Sequence, residues 1–100
     1  MAKYVLLYTG GSGMALTPAE QAAVIQEWTA WFTSLGAAIV DPGAPFMPAV
    51  TTLGPGSDAG ATGYTIVEAA SAEQATGFAK TCPQLKAGGS ISVYPTISMM

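Results

Sequence analysis

Two short stretches, TPAE at residues 17–20 and SAEQ at residues 71–74, carry the spacing with which a side chain closes the start of a helix. In the first, Thr17 serves as N-cap and Glu20 as the reciprocal acceptor. Pro18 takes the first helical position, where no N–H is needed. These two starts divide the chain. Before the first, KYVLLYT (3–9) is rich in aromatic and β-favouring residues and reads as a strand ended by Thr9-Gly10-Gly11-Ser12-Gly13. After it, Ile25, Trp28, Phe32 and Leu35 recur at the i, i+3, i+7, i+10 spacing of one buried helical stripe, and Gly36 supplies a stop. AAIV (37–40) resumes extended structure, interrupted by the Pro/Gly-rich DPGAPFMP before AVTTL (49–53) continues it, as one broken strand or two short ones. GPGSDAGATG (54–63) has the composition of a mobile loop, and GYTIVEA (63–69) is the next strand. The second helix runs from Ser71 to about Thr81, where Cys82-Pro83 ends it, and SISVYPTI (90–97) makes a final strand.

The order strand, helix, strand, strand, helix, strand over residues 1–100 predicts a single α+β domain. Its expected architecture is the ferredoxin-like βαββαβ plait, a four-stranded antiparallel sheet with two helices on one face. Alternation places Val5, Leu7, Val67, Ala69, Ile91 and Val93 beneath the helices. The opposite set is Tyr4, Leu6, Tyr8, Tyr64, Ile66, Glu68, Ser92 and Tyr94, so all four tyrosines are expected on the uncovered face. An apolar face carrying phenols suits burial against another surface, because tyrosine supplies contact area and a polar tip together.

Half of the residues are apolar and only 9% are charged, so the chain is globular, and no apolar run approaches the roughly 18 residues that would span a bilayer. MAKYVLLYTGG has too short an apolar run for a secretory signal, which makes the cytoplasm the expected compartment. A net charge of −3 with three lysines and no arginine leaves no basic surface for nucleic acid or anionic lipid. The single cysteine, Cys82, has no disulfide partner within the chain. With no histidine, thiolate–imidazole metal sites and Cys-His dyads are excluded. Six scattered acids offer no metal site, and no cofactor is expected.

The run GYTIVEAASAEQATGFAKTCPQLKAGGSISVYP resembles the second half of proteins of the YCII-related (YciI-like) family. YVLLYTGG and WFTSLGAAIVDPGAPF resemble that family's first strand and its helix-to-strand junction. The likeness covers nearly the whole chain and lies in the ordered combination. It implies a ferredoxin-like fold in homodimers of the dimeric α+β barrel type, with the two sheets facing one another. A His-Asp pair has been proposed as catalytic for some members, but this chain has no histidine and so no such pair. Relatives often read D-G-G-x-P at the junction, where this chain has Asp41-Pro42-Gly43-Ala44-Pro45.

Asp41 has two readings. As a carboxylate at a cleft beside Phe46 it could act as a base or orient a ligand. As an aspartate before Pro-Gly it performs ordinary turn chemistry, its side chain bonding to nearby backbone amides. The turn reading comes first, since one acid without a partner points only weakly to catalysis. Glu68 could pair with Tyr8, Tyr64 or Tyr94 across strands and floor a pocket, or be an ordinary acid at a dimer contact. Trp28 suits the core, and Trp31, on the flank of the stripe, could line a cavity mouth. Cys82, at the carboxyl end of a helix and without a base, reads as a buried structural thiol. Gly10-Gly11-Ser12-Gly13 lacks the lysine and adjoining helix of a phosphate loop and reads as a flexible turn.

Three functions follow. One is a small-molecule-binding protein or enzyme with a pocket of Asp41, Trp31, Tyr8, Tyr64, Glu68 and Tyr94. Another is a non-catalytic homodimeric structural or interaction domain. The third is an RNA-recognition domain, suggested by the element order and Gly63-Tyr64, which fails because three lysines cannot supply the backbone contacts.

Overall fold

The computed structural model describes residues 2–10, 17–47, 49–56 and 60–97. The strands are β1 (Ala2–Thr9), β2 (Ile39–Asp41), β3 (Ala61–Ala69) and β4 (Ser90–Pro95), and the helices are α1 (Pro18–Leu35), α2 (Ala72–Lys80) and α3 (Pro83–Lys86). At the start of α1 both halves of the capping box form: the Glu20 N–H donates to Thr17 Oγ1 and the Thr17 N–H to Glu20 Oε1, each at 3.2 Å. These bonds hold the exposed Glu20 carboxyl below the ordinary glutamate pKa. At α2 the box is skewed. Ser71 Oγ accepts from the Gln74 N–H, while the Gln74 side chain reaches past Ser71 to the Ala70 N–H at 2.6 Å. Gly36 ends α1 at φ 55, where an L side chain is strained, and a short 3-10 turn, Gly36–Ala38, leads into β2.

The sheet order is β2-β3-β1-β4, with every neighbouring pair antiparallel. The result is an α+β fold with a four-stranded open sheet and three helices, compatible with the ferredoxin-like plait. It is a slab of 44 × 39 × 18 Å, one layer of sheet under one layer of helices.

Which side of each strand faces the helices is settled by burial. Leu6, Val67 and Ala69 are fully buried with Tyr4, Tyr8, Trp31, Ala75, Ala79 and Cys82, and Ile91 and Val93 pack against them. Burial of Leu6 or Val67 stabilises the fold by roughly 1.5–3 kcal/mol each. β3 and β4 therefore present the expected residues to the helices, but β1 is turned over. Tyr4, Leu6 and Tyr8 point into the core and stand opposite Val67, Thr65 and Gly63, whereas Val5 and Leu7 lie on the uncovered side. Two of the four tyrosines are thus inside. The physical reason is a partner for the phenol: the Tyr8 hydroxyl donates to the buried Thr65 Oγ1 at 2.6 Å, which removes the penalty of burying it.

Three further expectations are corrected. Trp31, read as a rim residue, is the most buried aromatic side chain, at 4% exposure, while Ile25, assigned to the buried stripe, is 65% exposed. Trp31 sits in the angle between helices and donates its indole N–H to Phe78 O at 3.0 Å and to Thr81 Oγ1 at 3.2 Å. Trp28 is only partly buried and meets Tyr8 edge to face, with ring centroids 5.3 Å apart. AVTTL (49–53) forms no strand, because the edge of β3 beyond β2 is taken by the DPGAPF segment. Finally, Cys82-Pro83 ends α2 as expected and also starts α3, with Pro83 at its first turn. The expected glycine turn at 10–13 falls, beyond Gly10, outside the described residues, as do residues 57–59 of the expected loop.

Candidate functional site

On the uncovered side of the sheet, register aligns two cross-strand rows. One is Asp41, Ile66, Val5 and Tyr94; the other is Tyr64, Leu7 and Ser92. Asp41 ends the edge strand where the pairing with β3 slips. One carboxylate oxygen, Oδ1, accepts from the Gly43 N–H at 2.8 Å, the turn contact that aspartate before Pro-Gly is suited to make. The other oxygen, Oδ2, accepts from the Tyr64 hydroxyl at 3.2 Å. The Asp41 charge, with its hydrogen bond, pushes the Tyr64 phenol above the ordinary tyrosine value, so at neutral pH the phenol is protonated and acts as a donor.

The turn after Asp41 is strapped to β3 from both sides. Thr65 Oγ1 donates to Pro42 O at 3.0 Å from the core side, so the buried chain runs from the Tyr8 hydroxyl through Thr65 to the turn. Phe46 N–H donates to Thr62 O at 2.8 Å, and Pro45 bridges Gly63. Gly43 passes directly over the Tyr64 carbonyl with φ 76; a Cβ there would collide with that carbonyl, and the backbone angle itself disfavours an L residue. Phe46 closes the corner by stacking on Tyr64, ring centroids 5.8 Å apart at an interplanar angle of 25°.

The six residues read as one pocket are divided by the sheet. Asp41 and Tyr64 touch, and Tyr94 and Glu68 lie on the same uncovered side, Glu68 opposite Lys3 instead of a tyrosine. Tyr8 and Trp31 lie on the far side, in the core. Sequence reasoning did not find Thr65 or the Pro42 carbonyl. The available signal was a threonine in the inward phase of a strand otherwise carrying valine and alanine, since a hydroxyl there calls for a polar partner.

Cys82 is buried, and burial pushes its thiol up, with opposing pull from the Gln84 amide and the Tyr8 hydroxyl. Gln84, buried next to it, donates from Nε2 to Thr9 O and Gly10 O, both at 3.1 Å, and pins the end of β1. Two open depressions lie on the helix side. One is on α2 beside Glu73 and Lys80, and the other is between α1 and α3 beside Trp31; neither reaches Asp41. Among the described residues no three Cys, Asp or Glu side chains converge to hold a metal ion, and no helix is long and apolar enough to cross a membrane.

No family model matches this chain, and no curated protein does.

Proposed function

We propose that the protein is a YciI-like homodimer of the α+β barrel type, joined through the uncovered sheet face, with a small-molecule site at the Asp41–Tyr64 corner. The observation that carries this reading is the Tyr64 hydroxyl held on Asp41 at the margin of an apolar face, Val5, Leu7, Ile66 and Tyr94, that none of the described elements covers. A second sheet laid about 10 Å away over that face would enclose the corner and exclude water from it.

The chemistry available there is recognition. A carboxylate has about four lone-pair directions, and Gly43 and Tyr64 use two, so Asp41 keeps capacity for a ligand N–H or O–H. Phe46 and Tyr64 supply an aromatic wall. The chain has no histidine, and the Tyr64 phenol on Asp41 is raised away from neutral pH and so poorly matched to proton transfer there, which favours binding over acid–base turnover. A buried free thiol and no disulfide suit the reducing cytoplasm.

A non-catalytic homodimeric domain is the second reading, favoured by the Asp41 contact to Gly43, which is complete as turn chemistry. Asp41→Asn separates the two. Asparagine preserves a backbone-directed acceptor, so the unfolding free energy of the free protein should change by no more than about 1 kcal/mol. A compound from a screen of small hydroxylated aromatics and lactone-like acids, present at about 100 times its Kd, should stabilise the parent by about 2.7 kcal/mol and leave the variant unmoved in a thermal-shift assay. Equal responses of parent and variant across the screen would rule out a ligand role for Asp41 and leave the structural domain.

A further inference from the structure

The Asp41–Tyr64 corner engages its own hydrogen-bond donors and leaves its acceptors open. The Tyr64 hydroxyl donates to Asp41 Oδ2 and the Gly43 N–H to Oδ1. The Phe46 N–H goes to Thr62 O, and Pro42 and Pro45 have no N–H to give. Among residues 42–46 this leaves the Ala44 N–H as the single open donor in the described part of the chain. Acceptor capacity is larger. Asp41 is half-buried, and about two of the four lone-pair directions of its carboxylate are unused. With its proton on Asp41, the Tyr64 oxygen has only lone pairs to offer a newcomer.

Charge points the same way. Both hydrogen-bond partners of Asp41 are neutral, so neither matches its charge. The chain has three lysines, no arginine and no histidine, and none of the lysines is placed to serve this corner. Lys80 and Lys86 border the depressions on the helix side. Lys3 lies on the uncovered side but stands opposite Glu68 on the adjacent strand β3, whereas Asp41 is on β2, two strands away. A net charge of −3 adds a field that gathers cations and repels anions. Beside the carboxylate, Phe46 is stacked on Tyr64 and remains 44% exposed, and the face of an aromatic ring also attracts a cation.

We infer that the corner takes a small organic cation with N–H donors on an apolar body, an arylalkyl ammonium or an amidinium, and rejects carboxylates. The cation's N–H groups donate to the open lone pairs of Asp41 and its apolar body lies against the Phe46–Tyr64 stack. A carboxylate in the same place would meet the Asp41 charge, one amide donor and no cation, and would lose its hydration without replacement. This inference rests on the small-molecule site proposed above and narrows its ligand class by charge.

The test is an NMR titration of the native protein with benzylammonium, benzamidinium, phenol and benzoate, followed at the backbone amides of Gly43, Tyr64 and Phe46. It is run on the parent, Asp41→Asn and Glu27→Gln. Glu27 borders the helix-side depression, so its variant loses the same charge away from the corner. At least one of the two cations should shift the three amides saturably. Its Kd should rise about tenfold or more in Asp41→Asn, the loss of one charge-assisted hydrogen bond, and stay unchanged in Glu27→Gln. Added salt should weaken that binding, and benzoate should leave the amides unmoved. Phenol or benzoate binding at these amides as tightly as the better cation overturns the charge selection and spares the small-molecule site. A cation that binds Asp41→Asn as tightly as the parent overturns the inference as well. If none of the four probes saturates at these amides, the inference and the site fall together.

Discussion

The two faces of the sheet come from the same strands, yet they treat a tyrosine hydroxyl in opposite ways. On the helix side Tyr8 is buried, its phenol is spent on Thr65 at 2.6 Å, and the bond continues to the Pro42 carbonyl. On the other side Tyr64 is only partly covered and its phenol meets a carboxylate, Asp41, at the rim of an apolar surface. The first arrangement is complete within one chain: among the described residues no buried side-chain nitrogen or oxygen lacks a partner. The second has its polar pair placed but its apolar rows, Val5, Leu7, Ile66 and Tyr94, left facing outward. One face therefore stabilises the fold, and the other is the face on which we propose that a second copy sits.

The contrast breaks most readily at its strongest point. Trp31→Ala removes the largest buried aromatic and both of its hydrogen bonds to the end of α2, and should cost about 3–5 kcal/mol in denaturant unfolding. A loss under about 1 kcal/mol would mean the helices are not held to the sheet as described.

Next in size is the paired test of the two hydroxyls. Tyr8→Phe strips Thr65 of its buried donor and should cost about 1–2 kcal/mol, whereas Tyr64→Phe, acting at a half-buried contact to a carboxylate that keeps its bond to Gly43, should change stability by no more than about 0.5 kcal/mol. Equal losses would erase the distinction between the faces.

A smaller effect appears with pH. Burial raises the Tyr8 phenol and the Cys82 thiol above their ordinary values, so in alkali the unfolded chain gives up these protons first. Their contribution is fully present below the unfolded values, about 8.5 for a thiol and about 10 for a phenol, and is lost as pH rises through the higher folded ones. The unfolding midpoint should therefore be flat near neutrality and decline above about pH 9. Tyr8→Phe should flatten the part of the decline above about pH 10 more than Tyr64→Phe, whose phenol is also raised, by the Asp41 charge, but on the less covered side of the sheet. An unchanged profile in Tyr8→Phe would contradict the buried assignment.

Much of the architecture was legible because its signals are local. The Thr17 and Ser71 helix starts, the Gly36 stop and the Asp41 turn all depend on residues within four positions of one another. The phase of β1 was not legible, since Tyr4, Leu6 and Tyr8 on one side and Val5 and Leu7 on the other are both apolar, and alternation cannot choose between two such sets. What decided it was Thr65, 57 residues from Tyr8 in sequence. The helix stripe failed for a similar reason. Val24, Trp28, Trp31 and Leu35 have helical spacing as good as the set with Ile25, and only the position of Phe78 and Thr81 selects Trp31 as the inward residue. Asp41 was recognisable as a turn residue, but its second contact, to Tyr64, depends on the slip in pairing between β2 and β3.

The central claim, that the uncovered face is completed by a second copy, is tested most directly by the mass of the native protein in solution. Light scattering at micromolar concentration should give about 20 kDa, twice the 10.1 kDa of the chain, if a second copy covers this face. A mass of 10.1 kDa from a freely soluble protein would contradict it.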